Sequence, residues 1–328
     1  MSAGDSPTDH LSDPGADSPK LRVAAMGSGG VGGYFGALLA RHGHQVTFIA
    51  RGAHLAAIQR DGLTVHSAQR GDFQVAARAT DDPASVGAVD LVLFCVKSYD
   101  TESAGRAILP MLGPDTIVLT LQNGLDNEDL LEAIVPRGQL MGGAARVEST
   151  IAAPGVIHQL SPMARIDFGE LMGPPTPRAE RLLEAFKQST WDVHLMRDLR
   201  LGLWQKFVGL SAMAGVTTLA DVTWGELKAS PDLCEMLMET VRESVRVARA
   251  DGYELGDDQA EKMMTMPVAT PGMKTSMQRD RERGKRLEVE ALNGTTVRLG
   301  RKYGVPTPVN LAIYASLKVF DDRAAAAR

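Results

Sequence analysis

The sequence predicts an α/β protein in which a doubly wound domain is followed by an all-α domain, and three observations carry that expectation. A glycine loop joins a short apolar strand to a helix near the start of the chain. Strand-length and helix-length segments then alternate to about residue 198. Beyond Leu199 the apolar spacing is helical almost throughout. The 328 residues suffice for two such domains on the usual scale of about 100 to 200 residues each. We place them at 21–198 and 199–328. Residues 1–20, rich in Ser, Asp, Pro and Gly, are expected to be a disordered leader.

The stretch 22–51 reads as one unit: a strand over 23–26, a glycine turn, a helix over 34–41 and a strand over 45–49. Gly27, Gly29 and Gly32 form Gly-x-Gly-x-x-Gly where the strand hands over to the helix. The first glycine allows the tight turn, the second lets a pyrophosphate approach, and the third lets helix and strand pack closely. With 33 glycines in 328 residues, that pattern arises by chance roughly 0.3 times, so the flanking strand and helix identify the Rossmann-type unit. The loop Gly27-Ser28-Gly29-Gly30-Val31-Gly32 is thus expected to hold phosphates on the helix N-terminus. Arg51 stands where an Asp or Glu would take the ribose hydroxyls of NAD. A guanidinium there suits a 2′-phosphate, so NADP(H) is the expected cofactor, a plain solvated arginine being the alternative.

A helix over 53–61 should stop at Gly62, followed by short strands over 63–65 and 73–77 that can pair as a hairpin. The run DLVLFCVK over 90–97 has the continuous apolar character of a strand buried on both faces. It ends in Lys97, which at a strand's carboxyl end points at the cofactor unless it is an ordinary loop lysine. The strand over 116–121 ends in Gln122-Asn123-Gly124. Asn-Gly is a turn signal, but at this end of the sheet the Asn123 amide can offer a donor and an acceptor to nicotinamide or substrate. Further elements are expected at 127–134 (helix), 139–143, 155–159 and 166–168 (strands) and 177–188 (helix). In the helical half, 231–251 shows the clearest single apolar face. Lys206 is the one charge in LGLWQKFVGLSAMAG, and either snorkels outward or is held in a cleft with its pKa lowered. Ser276 and Glu288 fall on expected helices bracketing a basic connection, which by itself would be a solvated face.

A formal net charge of −5 offers no basic stripe for nucleic acid. No apolar run approaches the about 18 residues of a membrane helix, and no signal-peptide core is visible. The two cysteines, Cys95 on an expected strand and Cys234 on an expected helix, support neither a disulfide framework nor a zinc site, so no metal is expected and a cytoplasmic location is. The expected partner is a small molecule rather than nucleic acid or membrane, and a homodimer is one assembly open to the chain.

Several segments in order then carry a resemblance: the glycine loop, Val96-Lys97, Gln122-Asn123-Gly124, Leu203-Trp204-Gln205-Lys206, Thr275-Ser276-Met277, Leu287-Glu288-Val289-Glu290-Ala291-Leu292-Asn293-Gly294 and Gly304-Val305-Pro306-Thr307-Pro308. Together they are similar to the signatures of ketopantoate reductases (2-dehydropantoate 2-reductases), over about residues 22–320. The resemblance implies a site between a Rossmann domain and a helical domain, where NADPH reduces a 2-oxo acid to a 2-hydroxy acid. It implies Lys206 as proton donor and Glu288 as the cleft carboxylate near cofactor and substrate. It further implies Asn123 as a contact to both and Ser276 as a substrate ligand, with Arg51 and Lys97 at the NADP phosphate end. The chemistry is consistent, since a protonated lysine both stabilises a developing alkoxide and supplies its proton.

The sequence departs from the family where asparagines are usual four and eight residues after the lysine; here these are Leu210 and Ala214, with Trp224 at a third usually polar position. Successive steps of four share a helix face, so Leu210 and Ala214 are expected to give the substrate an apolar wall. A catalytically silent NADP(H)-binding sensor is the alternative, and retention of both Lys206 and Glu288 argues against it.

Overall fold

The computed structural model describes residues 20–189, 191–265 and 272–327; the expected leader thus lies, Lys20 apart, outside the described residues. The α/β half begins with β1 (Arg22–Met26), α1 (Gly30–Arg41), β2 (Gln45–Ile49), α2 (Gly52–Asp61), β3 (Leu63–Ser67), β4 (Phe73–Val75) and β5 (Arg78–Thr80). It continues through β6 (Val89–Phe94), α3 (Thr101–Ala107), β7 (Leu112–Thr120) and α4 (Asn127–Glu132). It closes with β8 (Leu140–Ala153), β9 (Val156–Glu170), α5 (Pro177–Lys187) and β10 (Asp192–Leu195).

All these strands share one sheet, and β5, β2, β1, β6, β7 and β8 lie side by side in parallel. With the β3–β4 hairpin set aside, that is the order 3-2-1-4-5-6 of a doubly wound dinucleotide fold. The order reverses between β1 and β6, so the crevice outside Met26 and Phe94 is where such a sheet takes its ligand. β6 shows why its sequence is apolar throughout. Leu91 and Leu93 enter a core with Phe35, Leu38 and Phe48, while Val92 and Phe94 enter a second with Ile108, Met111 and Leu131 on the opposite face.

The helical half comprises α6 (Leu199–Ala220), α7 (Trp224–Ala229), α8 (Pro231–Ala250), α9 (Gln259–Thr265), α10 (Ser276–Glu282), a π-turn at Glu290–Gly294, α11 (Thr295–Tyr303) and α12 (Pro308–Ala326). Local chemistry sets the ends of the two longest helices here. The Asp198 side chain accepts from the Leu201 N–H to start α6, and Ser230 with Pro231 starts α8. α6 is apolar nearly all round because it is surrounded, with Leu203, Trp204, Phe207 and Val208 packed into one cluster with Leu237, Val241 and Ile313. Among the described residues no helix is long and apolar enough to cross a membrane.

Several expected elements need correction. α1 starts at Gly30 rather than residue 34, because glycine's poor propensity hides a first turn that tertiary packing imposes. β6 ends at Phe94, leaving Cys95 and Lys97 beyond it. The strands expected at 155–159 and 166–168 are one strand, β9, and that at 139–143 is the beginning of the 14-residue β8. β8 and β9 form a long antiparallel ribbon whose polar positions, Arg146 and Glu148 among them, interrupt the apolar signal. β5, β10 and α3 are short elements that the sequence pattern does not mark. Glu288 lies on the connection just before the π-turn rather than on a helix.

Candidate active site

The glycine loop lies at the switch point. Gly27 has φ +93°, a left-handed conformation, and a Cβ there would come 2.8 Å from the Val96 nitrogen. A Cβ at Gly32 would collide with the Gly27 carbonyl, whereas one at Gly29 would meet nothing within 4 Å. The open side at Gly29, over the N-terminus of the 12-residue α1, is what a pyrophosphate requires. Ser28 is tied down: its Oγ donates to the Ile49 carbonyl at 3.0 Å, and its own carbonyl lies 2.9 Å from His54 Nε2. The Gly155 N–H donates to His54 Nδ1, so Nε2 carries the proton and donates to Ser28. Burial lowers the His54 pKa and so keeps the ring neutral. Gly30 and Val31 open α1, and Arg51 is exposed at the head of α2 with no ion pair among the described residues. These residues fit a dinucleotide.

The second part of the site is built from both halves of the chain. Lys206 Nζ, from α6, donates to Asn123 Oδ1 at 2.9 Å. Asn123 lies just past β7 in a turn that Gly124 permits with φ +115°. A buried amide network holds the turn. Gln122 Nε2 donates to the Val96 carbonyl at 3.0 Å and to Thr101 Oγ1 at 2.8 Å, and Asn127 Nδ2 donates to the Asn123 carbonyl at 2.9 Å. Burial lowers the Lys206 pKa to about 8, assisted by the Arg146 guanidinium and opposed by Glu288, Asp167 and Glu128. Glu128, buried on α4, has its own pKa raised to about 7, chiefly by burial.

Lys97 meets different surroundings. Its Nζ lies 2.8 Å from both Glu288 Oε2 and Asp280 Oδ2, and the Ser98 N–H donates to Glu288 Oε1 at 3.1 Å. Burial pushes this lysine's pKa down, but the two carboxylates outweigh it and the net shift is upward. Glu288, only 5% exposed, is thus bound to Lys97 and Ser98 and acts on Lys206 through its field. Leu210 is half-buried, while Ala214 and Trp224 are buried in the helical core. Ser276 is exposed as the first residue of α10, next to the capping Thr275.

Several charged partners were not foreseen from sequence. Asp280 and Arg279 lie within the segment read as a solvated face; Arg279 reaches Glu148 on β8 at 2.8 Å while Asp280 takes Lys97. Arg146 lies on the β8–β9 ribbon. A basic run of alternating sign opposite a polar strand is the only signal that could have found them.

A parallel sheet with a phosphate-type glycine loop, joined to a helical domain that supplies a lysine at the sheet's carboxyl edge, defines the class of two-domain dinucleotide-binding oxidoreductases. Residues 23–173 match the model of ketopantoate reductase PanE/ApbA and residues 198–321 that of its C-terminal domain; the chain belongs to this family. It is 31% identical to the 2-dehydropantoate 2-reductase of Halobacterium salinarum over 88% of this chain and 95% of that one. The crystal structure of a PanE/ApbA family ketopantoate reductase from Ralstonia eutropha JMP134 superposes with a TM-score of 0.85 at 34% identity, covering 93% of this chain and 99% of the other. D-mandelate dehydrogenase, solved with NADH and anilino(oxo)acetate, shares the fold with a TM-score of 0.86 at 23% identity, over 93% and 99% of the two chains.

Proposed function

We propose that this protein reduces a 2-oxo acid to the 2-hydroxy acid with NADPH, and that its preferred substrates carry a plain alkyl or aryl tail rather than the hydroxyl of ketopantoate. The observation that carries this reading is the Lys206 ammonium, fixed on Asn123 at 2.9 Å with a pKa of about 8. A bound nicotinamide would supply the hydride. Lys206, protonated at neutral pH and with one of its protons on Asn123, has others to direct at a ketone oxygen. It stabilises the charge that develops there and completes the alcohol by giving up its proton. Asn123 orients the ammonium, and the Gln122–Thr101–Asn127 network fixes the backbone turn that carries Asn123. Glu288 favours the charged form of Lys206 without consuming its hydrogen bonds. Ser276 is the polar ligand we assign to the substrate from α10, and Arg51 the partner of a 2′-phosphate.

The apolar tail follows from Leu210 and Ala214, which succeed Lys206 in steps of four on α6. A substrate hydroxyl left unpaired against them would cost about 1 to 3 kcal/mol. NADPH oxidation measured against ketopantoate and a series of alkyl and aryl 2-oxo acids, with NADH in parallel, tests the reading. We expect turnover, a preference for NADPH and a kcat/KM ranking led by apolar tails. Preference for ketopantoate would remove the apolar wall, and silence towards every 2-oxo acid would leave a dinucleotide-binding protein without this reaction.

A further inference from the structure

β8 does more than complete the sheet. A Cβ at Gly142 would meet Leu199 of α6 at 2.6 Å, and Ala144 packs in one cluster with Leu203, Trp204 and Phe207. Alternate residues of a strand share a face, so Arg146 continues the face that rests on α6. The strand advances roughly 6.6 Å per two residues and the helix about 5.4 Å per turn, so the sequence 142, 144, 146 keeps step with 199, 203 and 206–207. Arg146 therefore stands across from Lys206. The guanidinium is anchored at one corner only. Its Nε donates to Asp167 Oδ2 at 3.0 Å, and Asp167, itself 5% exposed, is also paired with Arg165. Among the described residues the two Nη groups of Arg146 make no hydrogen bond, and the side chain remains 34% exposed.

Building on the 2-oxo acid reading above, we propose that Arg146 binds the substrate carboxylate. Its Nη edge offers parallel N–H donors, the geometry a planar carboxylate accepts best, and Asp167 prevents the fork from rotating. A 2-oxo acid has its carboxylate one bond from the ketone carbon, so a site that aims an ammonium at the ketone oxygen needs a second donor set close by for the acid. Arg146 supplies it from the α/β side, while Ser276 stands on α10 of the helical half. The guanidinium and the ammonium repel each other in the free protein, which is one reason the Lys206 pKa is low. An anion bound between them relieves that repulsion.

The test compares each 2-oxo acid with its methyl ester, which keeps the ketone and removes the charge. In the wild type we expect the acid to be favoured. Arg146→Gln should lower kcat/KM for the acid on the order of 10- to 100-fold, mostly through KM, and leave the ester nearly unchanged. Arg146→Lys should recover only part of the loss, because it restores charge without the fork. In Arg146→Gln the alkaline limb of kcat/KM should also move to higher pH, with Glu288, Asp167 and Glu128 still facing Lys206. Equal losses for acid and ester would mean that Arg146 only supports the ribbon, and would overturn the proposal while leaving the reductase reading intact. Failure of the wild type to reduce any 2-oxo acid would overturn both.

Discussion

Two lysines stand at the junction of the sheet and the helical domain, and they are tuned in opposite directions. Lys97 sits between Glu288 and Asp280 and is held charged; Lys206 faces an amide, with a guanidinium nearby, and its pKa falls to about 8. Both suffer burial. The difference lies in counter-charge, since two carboxylates in contact reverse the desolvation penalty and one neutral oxygen does not. A lysine held between two carboxylates keeps its charge through the neutral range. One with an amide and a titration point near neutrality is suited to proton transfer.

The largest effect expected from breaking this contrast is on turnover. Lys206→Ala should lower kcat by about 10² to 10⁴ with NADPH still bound, as fluorescence titration of the cofactor would verify. Unchanged turnover would reduce Lys206 to a snorkelling residue.

Stability should respond with opposite signs. The folded-state pKa of Lys206 lies below the unfolded value of 10.5, so the chain carries a penalty that is fully present below pH 8 and fades as pH rises from there to 10.5. Lys206→Met should therefore stabilise the fold at pH 7, on the order of 1 to 3 kcal/mol in urea denaturation. The Lys97 pKa is raised, so its contribution is fully present below 10.5 and is lost as pH climbs through the higher folded value. Its side chain is 35% exposed, which moderates the cost, and Lys97→Met should destabilise by about 1 to 2 kcal/mol. Shifts of the same sign would show that the two lysines are not in contrasting environments.

The smallest effect concerns Glu288, which touches one lysine and only influences the other. Removing its charge with Glu288→Gln should lower the Lys206 pKa, moving the alkaline limb of the kcat/KM profile below pH 8 by about half a unit. A limb that moves upward would assign the titration to another group.

The contrast was half legible in the sequence. Lys206 announces itself as a lone charge in an apolar helix, and Asn123 as an amide at a strand's carboxyl end; both signals are local. The glycine loop is local too, and the alternation of segments after it carries the parallel sheet. Asp280 and Arg146 could not be read, because their meaning depends on which strand faces which helix. The segment containing Asp280 is charged throughout, and nothing in its spacing distinguishes a residue that reaches Lys97 from one in solvent. The sequence reads the β8–β9 ribbon as short strands because the glycines, alanines and serines along it carry little strand propensity.

That ribbon also acts as a ruler. Within one strand, Gly142 receives α6, Arg146 presents its fork, and Ser149 lies against Gly30 of the phosphate loop. From Gly142 to Val147 is roughly 17 Å of regular strand, a pairing irregularity between Val147 and Ser149 follows, and covalent geometry fixes the interval. Because faces alternate with every residue, one residue gained or lost between Gly142 and Arg146 would turn the guanidinium to the opposite side. The interval is thus quantised in steps of two, and the spacing of this stretch is constrained even where the identity of its side chains is not.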